Sequence, residues 1–248
     1  MDPVTTLAAK SIMSTVSKKF AGSVIERWTR HRAEMFFDGF AVSLARAELG
    51  DLPWHNVNDA ADAIFEDEQR SEILYDAYRR VCFSKSRDFG PRILGMLIAP
   101  LVVRGLTATD DEEAAMRAAE MLGDADLIEL ETFYDEYSLK ALNDDQKDVT
   151  AHGDEIVIEW CDESIDSERP YLTEVVVSAL DLSEALGDWA RRAQYAGIID
   201  ESVTAAIETY STRSERYDGD GTLFKYRTSI ILRPAAALVI RHLKLARS

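Results

Sequence analysis

The segment Ala21–Leu49 does most to limit what this chain can fold into. Val24, Trp28, Met35, Phe36, Phe40, Leu44 and Ala47 recur mostly three and four residues apart, so a helix aligns them as one apolar stripe. Gly50 and Pro53 stop that helix. A stripe this long has to be covered, and the neighbouring sequence supplies more helices. Val4–Lys19 is expected to be the first, with Leu7, Ile12 and Val16 on its apolar side. Asn58 reads as the N-cap of a helix to about Gln69, and Ser71–Phe83 continues it with Ile73, Leu74, Ala77 and Val81. Pro91 opens the apolar run Arg92–Val103, since a first-turn proline is tolerated. Thr109 and Glu112 form a capping box, and the run Asp110 to Glu113 sets negative charge at the positive end of the next helix. Asp124–Leu142 is a further helix. Phe36, Phe40, Leu44, Ile93, Leu97 and Leu127 are the expected core. With 12 Gly and 6 Pro in 248 residues, helices are favoured over the many tight turns of an all-β fold.

Asn143–Gly153, polar and ending in glycine, is the expected boundary between a helical domain, 1–150, and a smaller one, 151–248. Ile156, Val157, Ile158 and Trp160 are strand formers in a run short enough to fit a buried helical turn as well. Asp162–Arg169 reads as an acidic loop. Beyond it, Thr173–Leu180 is helix-compatible, and Leu182–Tyr195 is amphipathic and closed by Gly197. Asp218-Gly219-Asp220-Gly221 reads as a hairpin tip leading into the strand-like Thr222–Leu232. Arg233-Pro234 then opens a last helix, Ala235–Leu245. Two helices, a hairpin and a proline-started helix resemble a winged helix. The expected fold is therefore mainly α, a helical N-terminal domain followed by a small α+β winged-helix-like domain.

The net charge of −17 is unevenly spread: +2 over residues 1–50, −13 over 51–150, −12 over 151–222 and +6 over 223–248. An acidic body repels nucleic acid at long range, while a local basic patch still binds phosphate at short range. The longest apolar run, Ile93–Val103, is too short for a membrane span. The N-terminus lacks the compact apolar core and cleavage site of a signal peptide. Two cysteines, Cys82 and Cys161, make no disulfide framework. A cytoplasmic protein with no membrane contact is expected.

No nucleophile, base or metal ligand set stands at catalytic spacing. His31, His55, His152 and His242 make no HExxH or HxxxH pair, and no glycine-rich phosphate loop is present. His152 and Cys161 are the nearest approach to a thiol–imidazole pair, against the plainer reading of a loop histidine and a buried cysteine. Taken as a calcium loop, Asp218–Gly221 puts Arg216 and Arg227 where carboxylates are required. A non-enzymatic protein with no cofactor and no metal is expected.

One resemblance covers most of the chain. Its residues are Glu26-Arg27-Trp28-Thr29-Arg30-His31-Arg32 running into Met35-Phe36-Phe37 and Phe40. Ile73-Leu74-Tyr75-Asp76-Ala77, Ser84-Lys85-Ser86-Arg87-Asp88 and Ile93-Leu94-Gly95-Met96-Leu97-Ile98-Ala99 follow. In layout the chain resembles uncharacterised bacterial and prophage α-helical proteins of abortive-infection-like type. The resemblance implies a phage or phage-defence setting and carries no catalytic residue.

The C-terminal region holds the binding candidates. Arg191, Arg192 and Gln194 lie on the recognition-like helix, and Arg213, Arg216, Lys225 and Arg227 lie on the hairpin. A DNA reader uses its helix on base edges and its wing on phosphates. Glu174, Asp181, Glu184 and Asp188 oppose that use, each costing about 1 kcal/mol at 4 Å from a phosphate in water. A protein partner or self-association is therefore expected. DNA binding through the basic wing, or acidic DNA mimicry, is the alternative.

Overall fold

The computed structural model describes residues 27–46, 64, 66–142, 148–165, 181–214 and 217–247. The expected helices Val4–Lys19 and Thr173–Leu180, the Asn58 cap and Arg216 lie outside the described residues. The fold is mainly helical with one small sheet. In chain order its elements are α1 (Arg27–Arg46), α2 (Glu68–Phe83), α3 (Phe89–Arg104), α4 (Asp110–Met121), α5 (Asp124–Leu142), β1 (Val149–His152), β2 (Glu155–Ile165), α6 (Leu182–Leu186), α7 (Asp188–Ala196), β3 (Ile199–Ser214), β4 (Tyr217–Leu232) and α8 (Pro234–Arg247). Among the described residues, no helix is long and apolar enough to cross a membrane.

α3 is the central element, with every residue from Gly90 to Val103 buried except Arg92 and Pro100. Gly95 and Pro100 both lie inside this continuous helix. Gly95 is there because α1 crosses at that point. A methyl group on Gly95 would come within 2.0 Å of the Phe36 carbonyl oxygen, and one on Gly39 within 2.0 Å of the Arg92 carbonyl oxygen. Only glycine lets the two backbones approach this closely. Around the crossing, Phe36 and Phe37 pack edge to face at 5.2 Å, and Phe37 stacks on Tyr78 of α2. The six expected core residues are all buried, each contributing roughly 1.5–3 kcal/mol. α2 starts at Asp67, whose carboxylate accepts from the Arg70 N–H at 3.0 Å. The Thr109–Glu112 capping box of α4 forms as its sequence dictates.

The sheet is antiparallel in the order β1-β2-β4-β3. β2 extends to Ile165, so Asp162–Ile165, read as acidic loop, pairs with Leu223–Tyr226 of β4. The hairpin register also differs from the Asp-Gly reading. β3 and β4 pair out to Ser214 opposite Tyr217, and Asp218–Gly221 lies within β4 opposite Tyr210–Arg213. Pairing with the adjacent strand β3 overrides the turn preference of Asp-Gly. The amphipathic stretch Leu182–Tyr195 is divided by Gly187, at φ +96°, into α6 and α7, and Gly197 closes α7 in the left-handed conformation.

One apolar cluster runs from α1 to α8. It takes in Val149, Ile156 and Ile158 of the β1–β2 hairpin as well as Trp189, Ile199, Leu232 and Leu243. Trp189 packs against Phe133 of α5 at 5.5 Å, and so joins the C-terminal helices to the N-terminal ones.

Candidate functional site

The recognition-like helix α7 buries Trp189, Ala190, Ala193 and Ala196 and turns its polar residues toward other parts of the same chain. The Arg192 guanidinium donates to both oxygens of Asp126, at 2.9 and 2.6 Å. That bidentate bond comes first among the causes that raise the Arg192 pKa above its ordinary value. Asp126 stands in the first turn of α5, where it also accepts the Gly123 N–H at 2.9 Å. Arg191 donates to Asp181 at 3.1 Å, and Gln194 to Glu201 at 3.3 Å. Asp181 itself caps α6, and its carboxyl pKa is lowered chiefly by the Ser183 N–H, with Arg191 assisting. All three helix candidates therefore have partners within the fold.

The hairpin candidates are spread along the register. Lys225 stands opposite Ala206 and Glu163, and Arg227 opposite Thr204 and Cys161. Two residues apart, they occupy equivalent positions of the strand. Arg213 pairs with Asp218, at a position of the other parity. His152 stands opposite Glu155, six residues along β2 from Cys161, or about 20 Å at 3.3 Å per residue. The thiol–imidazole pair is not assembled. Among the described residues, no group of three or more His, Cys, Asp or Glu is placed to hold a metal ion.

A second surface escaped the sequence reading. Within the acidic stretch 51–150, residues 79–87 carry four cations and no acid. Arg79, Arg80 and Phe83 project from the C-terminal half of α2 and, with Arg117 and Glu120 of α4, line a groove. Phe83 is 71 % exposed and Tyr75, two turns earlier, is 57 % exposed. Arg80 is held by Glu113 at 2.9 Å. Cys82, on the same helix, is half-buried, and burial pushes its thiol pKa up while Arg32 opposes the shift. A raised thiol pKa means less thiolate, which is the opposite of activation.

Below this surface the Ser84–Asp88 segment wraps a carboxylate. Asp124, at the start of α5, accepts the Ser86 hydroxyl and the N–H groups of Arg87 and Phe89, both at 3.0 Å, with the Asp88 N–H at 3.3 Å. Ser86 in turn accepts the Gly90 N–H at 2.6 Å, and buried Ser84 donates to the Ala119 carbonyl. Burial alone would raise the Asp124 pKa. The Ser86 and backbone bonds outweigh burial and hold it below the ordinary value. The Phe89 N–H that opens α3 is thus satisfied by a side chain from α5 and the Gly90 N–H by Ser86, and the site is structural.

No family model, curated protein or solved structure matches this chain.

Proposed function

We propose that this protein acts by binding another protein and not by catalysis. The observation that carries the reading is the state of α7. Arg191, Arg192 and Gln194, the side chains a winged helix would offer to base edges, are tied to Asp181, Asp126 and Glu201. Reading DNA would mean breaking these bonds and exposing their carboxylates to phosphate. Exposed aromatic residues beside arginines, as at Tyr75, Arg79 and Phe83, are the composition that protein interfaces favour. A phage-defence setting, implied by the resemblance in layout, belongs to the same reading.

Titration of the full chain against mixed-sequence duplex at ~50 mM salt, followed by fluorescence anisotropy, tests it. No binding is expected. Tight binding that weakens steeply with salt and is lost on replacing Lys225 and Arg227 would establish the DNA-binding alternative.

A further inference from the structure

We propose that the exposed face of α2 is a two-fold self-association surface, on which a second copy of the chain lays its own α2 antiparallel. The inference rests on the protein-interaction reading and names one partner for it.

α2 is two-faced. Leu74, Ala77 and Val81 are buried, while Glu68, Glu72, Tyr75, Asp76, Arg79 and Phe83 are exposed along the opposite side at helical spacing. The exposed stripe is polarised. Its N-terminal half presents acids at 68, 72 and 76, and its C-terminal half presents Arg79 and Phe83, followed by exposed Lys85 and Arg87. A surface that is acidic at one end and basic at the other complements itself when turned through 180°, which is what an isologous interface requires. With the two-fold axis at the level of Ala77 and Tyr78, Asp76 faces Arg79 of the second copy. The parallel arrangement would set acid against acid and arginine against arginine. Charge therefore selects the antiparallel one.

Tyr75 and Phe83 supply the apolar area, and Arg117 and Glu120 of α4 border the groove beside Phe83. A single helix face is smaller than the roughly 800 Å² per partner of a standard interface, so a reversible dimer with a dissociation constant of ~10–100 µM is expected.

Sedimentation velocity of the full chain over ~5–300 µM, at low salt and at ~0.5 M salt, reads the equilibrium directly. A monomer–dimer equilibrium at least several-fold weaker in high salt is expected. Arg79→Glu and Asp76→Arg should each leave the chain monomeric, with unchanged thermal melting because both side chains are exposed. An equimolar mixture of the two variants should dimerise again, since every contact between positions 76 and 79 across the axis then joins opposite charges. Phe83→Ser, which leaves the charges alone, should weaken the dimer about tenfold and serves in place of any charge variant that melts early. A wild-type chain that stays monomeric throughout, or a dimer that survives both charge reversals, would overturn the proposal. A monomer would leave the protein-interaction reading standing, because the duplex titration tests that reading separately.

Discussion

Where α1 crosses α3, backbone lies against backbone; where α7 and α8 meet α5, charged side chains surround the apolar contact. The first junction has Gly39 and Gly95 at its centre and Phe36 and Phe40 on either side, with the Arg92–Asp38 ion pair at its edge at 2.6 Å. The second also buries Trp189 and Leu243, but its edge is tied by Arg192 to Asp126, Lys244 to Asp135 at 2.6 Å, and Arg247 to Glu131. Steric fit responds to neither salt nor pH and has no slack, whereas ion pairs respond to both and are individually weak. The centre of the first junction should therefore fail by steric conflict, whereas the ion-paired edge of the second should loosen with salt.

Gly95→Ala should have the largest effect. The added methyl group has nowhere to go except into the Phe36 carbonyl oxygen, so a loss of about 3 kcal/mol or outright failure to fold is expected. Urea midpoints measure it, with Gly123→Ala as the control, because a methyl there meets nothing closer than 3.6 Å. Equal midpoints for the two variants would show that α1 and α3 can separate without cost.

Asp124→Ala should come next, at about 2 kcal/mol, because it leaves the Ser86 hydroxyl and several N–H groups at the head of α3 without their acceptor. Its pH signature is specific. The folded-state pKa is lowered, so the stabilisation is complete above the unfolded value of about 3.9 and is lost as pH falls through the lower folded value. The stability gap between wild type and Asp124→Ala should therefore be constant near neutrality and close only in acid. A gap that closed above pH 5 would assign the effect to another group.

Arg192→Ala should have the smallest effect, about 1 kcal/mol at low salt and less in 1 M salt, since its side chain is about one-third exposed and Asp126 keeps the Gly123 N–H. Thermal melting at the two salt concentrations reads it. A cost that salt left unchanged would mean that packing of the Arg192 stem, and not its charge, joins α7 to α5.

Much of the helical framework was legible because its signals are local. The stripe through Phe36, Phe40 and Leu44, the Thr109–Glu112 capping box and the proline that opens α8 each act within a turn or two of chain. What was illegible depends on distant partners. Nothing near Gly95 in the sequence shows that α1 lies across it, whereas the Asp-Gly pairs are a local turn signal displaced a few residues along one hairpin. Asp124 caps a helix that begins 35 residues earlier, at Phe89, and spacing within one segment does not show such a bond. Arg192 looked available for a base edge because its acceptor, Asp126, lies 66 residues away. The basic run 79–87 was present in the sequence all along. Averaging charge over 100 residues concealed it, whereas the i, i+4 placement of Tyr75, Arg79 and Phe83 would have shown a two-sided helix.

The glycine crossing also governs how this sequence can change over generations. A core made of side chains tolerates drift, because one residue can shrink as its neighbour grows. At positions 39 and 95 the obstacle is a carbonyl oxygen of the other helix, which every amino acid carries alike. No second substitution can make room for a first one there. Descendants of this chain that keep the fold would exchange one apolar side chain for another at Leu97 or Leu44 and hold glycine at these two sites, which would mark the crossing in an alignment even where little else could be aligned.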